Sequence, residues 1–231
     1  MYKIIWILLL LLTSTSVFSQ NATGIQSGTF TDPRDGNIYN WVKVGQQIWM
    51  TKNISYLPKV NGLDQTSGSE PYYYVNGYNG TSATEAKSND NYIKYGVLYN
   101  WPDAVNACPK GWHLPSHEEW NQLAQYTSDQ LELHEKNSFG DWPEVGKHLK
   151  AKSGWHLNKN GIDTFGFTAL PGGSRNLEGY FFLIDTDGTW WSATESGSSD
   201  AWFRHIICHE DALFQSTTFK ASGFSVRCVR D

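Results

Sequence analysis

Residues Gly96–Trp120, GVLYNWPDAVNACPKGWHLPSHEEW, decide the fold. Ser116 is a strong helix N-cap, and Glu119 follows three residues later. That spacing predicts a capping box, in which the hydroxyl takes the Glu119 N–H and the carboxylate returns to the Ser116 N–H. Trp120, Leu123 and Ala124 then recur at helical spacing and mark a buried face. Upstream, Val97, Leu98, Trp101, Ala104 and Val105 form a second apolar stripe, predicting a helix that ends at Cys108. Pro109 stops it and Lys110-Gly111 turns the chain. The partner is Gly223–Asp231, GFSVRCVRD, where Phe224, Val226 and Cys228 alternate with Ser225, Arg227 and Val229. Alternation predicts a strand with one buried face, so that Cys228 points inward, where Cys108 could meet it.

Outward from this pair the chain reads as follows. Residues 1–19 have the form of a signal peptide: Lys3, then an apolar run Ile4–Leu12, with Val17 and Ser19 suiting cleavage. No transmembrane span is expected after its removal. Residues 20–28 read as a flexible leader, and residues 29–231 as one domain. The net charge is −5, and losing Lys3 with the signal peptide makes it −6. With 18 Lys and Arg against 23 Asp and Glu, no nucleic-acid surface is expected. Alternating apolar residues and the turn Asp35-Gly36-Asn37 predict an opening meander, Thr29–Thr31, Ile38–Val44 and Gln47–Thr51. Leu57–Asn91 reads as a long irregular loop anchored by Tyr72, Tyr73, Tyr74 and Tyr78. A short helix is expected around Val145–Ala151, then short strands to the end, the last being one strand over Gly223–Val229. Pro171-Gly172-Gly173 needs glycine's backbone freedom.

Five stretches carry a resemblance: YGVLYNWPDAVNACPKGWHLPSHEEWNQL, GFTALPGGSRN, GTWWSATE, AWFRH and GFSVRCVRD. DGNIYNWVKVGQQIWMTKN is similar to the same family's opening block. In this order they resemble the bacterial Fibrobacter succinogenes major paralogous domain family. The resemblance implies an α+β, C-type-lectin-like fold of short antiparallel strands, two main helices and long loops. It is distantly similar to the formylglycine-generating sulfatase-modifying domains. It also implies a disulfide between Cys108 and Cys228, closing the domain. The other two pairings of the three cysteines stay open, and Cys208 is left over.

Candidate ligand-binding residues lie in the C-terminal blocks. Trp190 and Trp191 are adjacent on an expected strand and must face opposite sides, one into the core and one outward or under the long loop. Trp202 lies nearby in sequence, and Glu195, Arg204 and Arg175 could form a charged network beside the tryptophans. Asp185 and Asp187, in Asp-Thr-Asp-Gly, are weak calcium candidates; otherwise no cofactor and no metal cluster are expected. The sugar-binding lectins' Glu-Pro-Asn, Gln-Pro-Asp and Trp-Asn-Asp tripeptides do not occur. Formylglycine-generating enzymes hold copper with two thiols, and one remains here. Asn21, Asn53 and Asn79 begin glycosylation sequons.

These residues point to a secreted or cell-surface, non-enzymatic binding or adhesion module, whose partner is a glycan or another surface protein. A structural surface component without a small ligand is the alternative. An enzyme is the third reading, which a buried, hydrogen-bonded Cys208 beside a cleft would favour.

Overall fold

The computed structural model describes residues 19–20 and 24–231. The expected signal peptide lies outside them except for Ser19, which forms β1 (Ser19–Gln20). The expected leader is already structured at its end, because β2 (Gln26–Thr31) pairs along β3 (Ile38–Val44) from Ser27 opposite Val42 onward. Ladder bonds are backbone bonds, so the polar side chains of Gln26 and Ser27 do not oppose pairing.

The opening meander continues into β4 (Gln47–Met50), matching the alternation in sequence. The long loop contributes β5 (Tyr73–Tyr74), α1 (Ala83–Ala86) and the start of α2 (Asp90–Tyr95). Then come β6 (Leu98–Tyr99), α3 (Trp101–Ala104), β7 (Trp112–His113) and α4 (His117–Leu131). The stripe that predicted one helix from Val97 is thus a strand followed by a single turn, since Leu98 and Tyr99 pair with Tyr74 and Tyr73. Of the two expected main helices only α4 is long, at 15 residues. Its N-terminus carries the full capping box, with Ser116 N–H bonded to Glu119 Oε2 at 2.8 Å and Glu119 N–H to Ser116 Oγ at 3.2 Å.

After α5 (Val145–Leu149) come β8 (Gly172–Arg175), β9 (Phe181–Ile184), β10 (Asp187–Glu195), β11 (Asp200–Ile207) and β12 (Phe214–Phe219). The chain closes with β13 (Phe224–Ser225) and β14 (Val229–Arg230). Gly173 meets the expectation for its turn: its φ is +67°, and a Cβ there would stand 2.6 Å from the Phe182 carbonyl oxygen. Gly146 inside α5 is required, because a Cβ would lie 2.2 Å from the Ala212 carbonyl oxygen.

Two sheets make the α+β architecture. One runs β1-β2-β3-β4-β14-β7, and the other β12-β11-β10-β13-β6-β5, with β8 on β10 and β9 on β8. The helix α4 packs on β3, β10 and β11. The single strand expected over Gly223–Val229 is two strands in different sheets, because the chain crosses between the sheets at Val226–Cys228. Every residue from Ser222 to Val229 is therefore buried, and the inside–outside alternation is lost. Arg227, placed outward by alternation, is fully enclosed. The Cys108–Cys228 disulfide ties the crossing to the segment that follows α3, as the resemblance implied. Among the described residues no helix is long and apolar enough to cross a membrane.

Candidate functional site

Trp190 and Trp191 do face opposite sides of β10, but both sides are core. Trp190 packs by Trp120 at 6.3 Å and Trp191 by Phe224 at 4.6 Å, in two separate apolar clusters. They are 1 % and 0 % exposed. Each indole N–H is spent, on Asn53 Oδ1 at 2.9 Å and on the Tyr99 carbonyl at 2.7 Å. Neither is an outward stacking platform, because β10 lies between layers and not at a surface.

Glu195, Arg204 and Arg175 do not form one network. Glu195 is exposed and pairs with Lys220 at 3.1 Å. Arg175 is buried, over the Tyr74 ring at 3.9 Å, and its Nη2 donates to the Leu63 and Gln65 carbonyls and to Thr66 Oγ1. It clamps the long loop to β8. Arg204, 1 % exposed, donates to the His117 carbonyl at 3.2 Å and to Asn121 Oδ1 at 2.9 Å. Burial lowers its pKa to about 10, and the guanidinium stays charged at neutral pH. Burial, with the charge of Arg204 second, holds His117 down to about 4, so its ring is neutral. Trp202 is half-buried and edge-on to that ring at 4.5 Å. These arginines tie loops through carbonyls and amides, not through carboxylates, which suits a planar group with five donors among irregular backbone.

At the calcium candidate, Asp185 takes φ +65° in the tight connection from β9 to β10. Its carboxylate accepts from the Tyr95 hydroxyl and from Lys94 Nζ, and these bonds hold its pKa below the usual range. Asp187 begins β10, and burial pushes its carboxyl up. Among the described residues no three His, Cys, Asp or Glu side chains gather as a metal site. Asn53 is 6 % exposed with its amide committed, so the sequon at that position is closed to modification in the folded chain. Cys208 is free and buried, with Sγ 3.7 Å from His209 Nδ1. It lines a cavity of about 410 Å³ with Lys150, Lys159 and His209.

The site that sequence reading missed runs along the outer face of α4. A cleft of about 420 Å³ lies between that face and the β3–β4 turn. Glu118, Asn121, Gln122, Gln125 and Asp129 line it at helical spacing, with Gln46 and Gln47 across from them. Tyr126, half-buried, and Trp142 complete it. Trp142 Nε1 is buried with no hydrogen-bond partner. The helical stripe was visible in sequence, but every surface helix has one; the tertiary approach of Gln46 and Gln47 makes it a cleft.

The amides of this cleft are oriented from beneath. Arg204 has no acceptor to offer, so Asn121 must turn its oxygen inward and its Nδ2 outward. Trp49 Nε1 donates to Gln47 Oε1 at 3.1 Å, which directs Gln47 Nε2 to Gln122 Oε1 at 3.2 Å and leaves Gln122 Nε2 free. Gln125 Nε2 donates to Asp129 Oδ1 at 2.7 Å, leaving Gln125 Oε1 as an open acceptor.

The sequence profile of the Fibrobacter succinogenes major domain family matches residues 42–230. No curated protein and no solved structure matches the chain. The chain belongs to that family.

Proposed function

We propose that this member of the Fibrobacter succinogenes major domain family is a secreted or cell-surface binding module without catalytic activity. It has one C-type-lectin-like domain, which takes in β2 from Gln26 as well as the residues 29–231 expected from sequence. Its ligand, a glycan or a segment of another surface protein, docks in the cleft along α4. The observation that carries this reading is the row of amides held at one end and open at the other. Such groups are built to recognise, since their orientation is fixed before any ligand arrives. The Cys108–Cys228 disulfide supports an oxidising, extracellular setting.

The test is a mixed array of glycans and peptides probed with the protein and with a Gln122→Ala/Gln125→Ala double variant. Binding that falls in the variant supports the module. An array silent for both proteins would leave the structural-component reading in its place.

One observation favours a second reading: Cys208 is buried, in contact with His209 and beside a cavity. A thiol-dependent enzyme would show alkylation of Cys208 in the native state faster than that of a free thiol at the same pH. Alkylation only after unfolding removes this reading.

A further inference from the structure

We infer that the α4 cleft takes an uncharged, hydroxyl-rich glycan, recognised by side-chain amides; this rests on the binding-module reading above. The free ends along the helix are mixed in kind. Asn121 Nδ2 and Gln122 Nε2 offer N–H donors. Gln125 Oε1, the second oxygen of Asp129 and Glu118 offer acceptors. Gln46, across the cleft, has both ends free and offers both.

A ligand that satisfies this mixture must carry donors and acceptors a few ångströms apart along its length. Hydroxyls on neighbouring carbons do so, because each hydroxyl donates once and accepts twice. Sulfate and carboxylate groups only accept, and they would meet Glu118 and Asp129 with Lys136 as the one cation among the described residues lining the cleft. Placing a like charge beside these carboxylates is unfavourable, so polyanionic glycans are selected against. The half-buried Tyr126 ring, one helical turn from Gln122, supplies an apolar surface for the C–H face of a sugar ring.

The experiment is a glycan array of neutral, sulfated and uronic-acid chains, with peptides on the same slide, read with and without chelator. Calorimetry on the strongest neutral hit follows. Neutral glycans are expected to bind, unmoved by chelator and by added salt. Gln122→Ala and Gln125→Ala should each weaken binding about tenfold, ~1.4 kcal/mol, with the melting temperature unchanged because both side chains are exposed. Asn121→Ala should weaken it at least as much, but it also strands Arg204, so the two glutamine variants decide. A preference for sulfated chains, or a neutral glycan whose affinity neither glutamine variant alters, overturns the inference. Peptide binding lost in the glutamine variants would overturn it while leaving the binding module standing. Silence across the whole array would remove both.

Discussion

Asn53 Oδ1 lies 3.0 Å from Arg227 Nη2 and 3.2 Å from its Nε, and it also accepts from Trp190 Nε1 at 2.9 Å. The same amide donates through Nδ2 to the Tyr95 carbonyl and to Ser225 Oγ. One buried carboxamide therefore joins the exit of β4, the end of α2, the middle of β10 and the crossing between the sheets. Arg227 completes its shell with the Met50 and Phe167 carbonyls. Burial lowers its pKa to about 9.

Asn53→Ala removes the acceptor from a buried guanidinium and an indole at once. Stranded buried donors cost about 1–3 kcal/mol each, more when charged. The variant should lose about 3 kcal/mol in denaturant unfolding with an unchanged slope. A loss under about 1 kcal/mol would show that the knot is not a unit.

Breaking the disulfide should be equally visible. Cys108 and Cys228 are 120 residues apart, a loop whose closure contributes roughly 4 to 5 kcal/mol on the chain-entropy model, with less realised in practice. Reduction, or Cys108→Ser, should lower the melting temperature by at least 10 °C. Thiol counting on the unreduced protein should find one thiol, Cys208, and only after unfolding.

His113 sits between two carboxylates, with Nδ1 2.6 Å from Asp231 Oδ1 and Nε2 2.7 Å from Glu119 Oε1. Burial alone would lower its pKa, but the bonds to Asp231 and Glu119 outweigh that and raise it. A raised histidine adds stability fully present below its ordinary pKa of about 6.5 and lost as pH rises through the folded value. Burial opposes the charge on Glu119, yet bonds to Ser116 and His113 bring its pKa down. Its contribution is present above about 4.5 and fades as pH falls. Both hold together between about pH 4.5 and 6.5. Burial lowers His117, His148 and His205, which act in the opposite sense. The clamp is therefore read as wild type minus His113→Gln across pH 5 to 9. A difference that does not shrink toward alkaline pH contradicts it.

Arg175→Met should release the long loop without unfolding the domain. It removes donors to Leu63, Gln65 and Thr66 while keeping an apolar stem over Tyr74. Faster proteolytic nicking between residues 63 and 72, with the melting temperature little changed, is the expected result. A protease pattern matching wild type would mean that the buried Tyr73 and Tyr74 hold the loop alone.

Local chemistry was legible in the sequence and layered packing was not. Ser116 and Glu119 announced α4, and Asp35-Gly36-Asn37 announced the β2–β3 hairpin, because caps and turns are decided within a few residues. The opposite facing of Trp190 and Trp191 was also legible. That both faces are buried depends on α4 covering one side and on α3 and the apolar cluster with Trp112 and Val226 filling the other, which no local pattern encodes. Arg175, Arg204 and Arg227 look like surface residues by type, yet each is enclosed by carbonyl and amide oxygens brought from distant segments. The amide stripe of α4 was visible, but the glutamines that make it a cleft come from a turn about 75 residues earlier.

The crossing at Val226–Cys228 also sets a timetable. The first sheet lacks β14, and the second lacks β13, until the last stretch of the described chain has been made. Asn53 waits 174 residues for Arg227. Neither sheet is complete without this crossing, so the two are expected to lock together in one event.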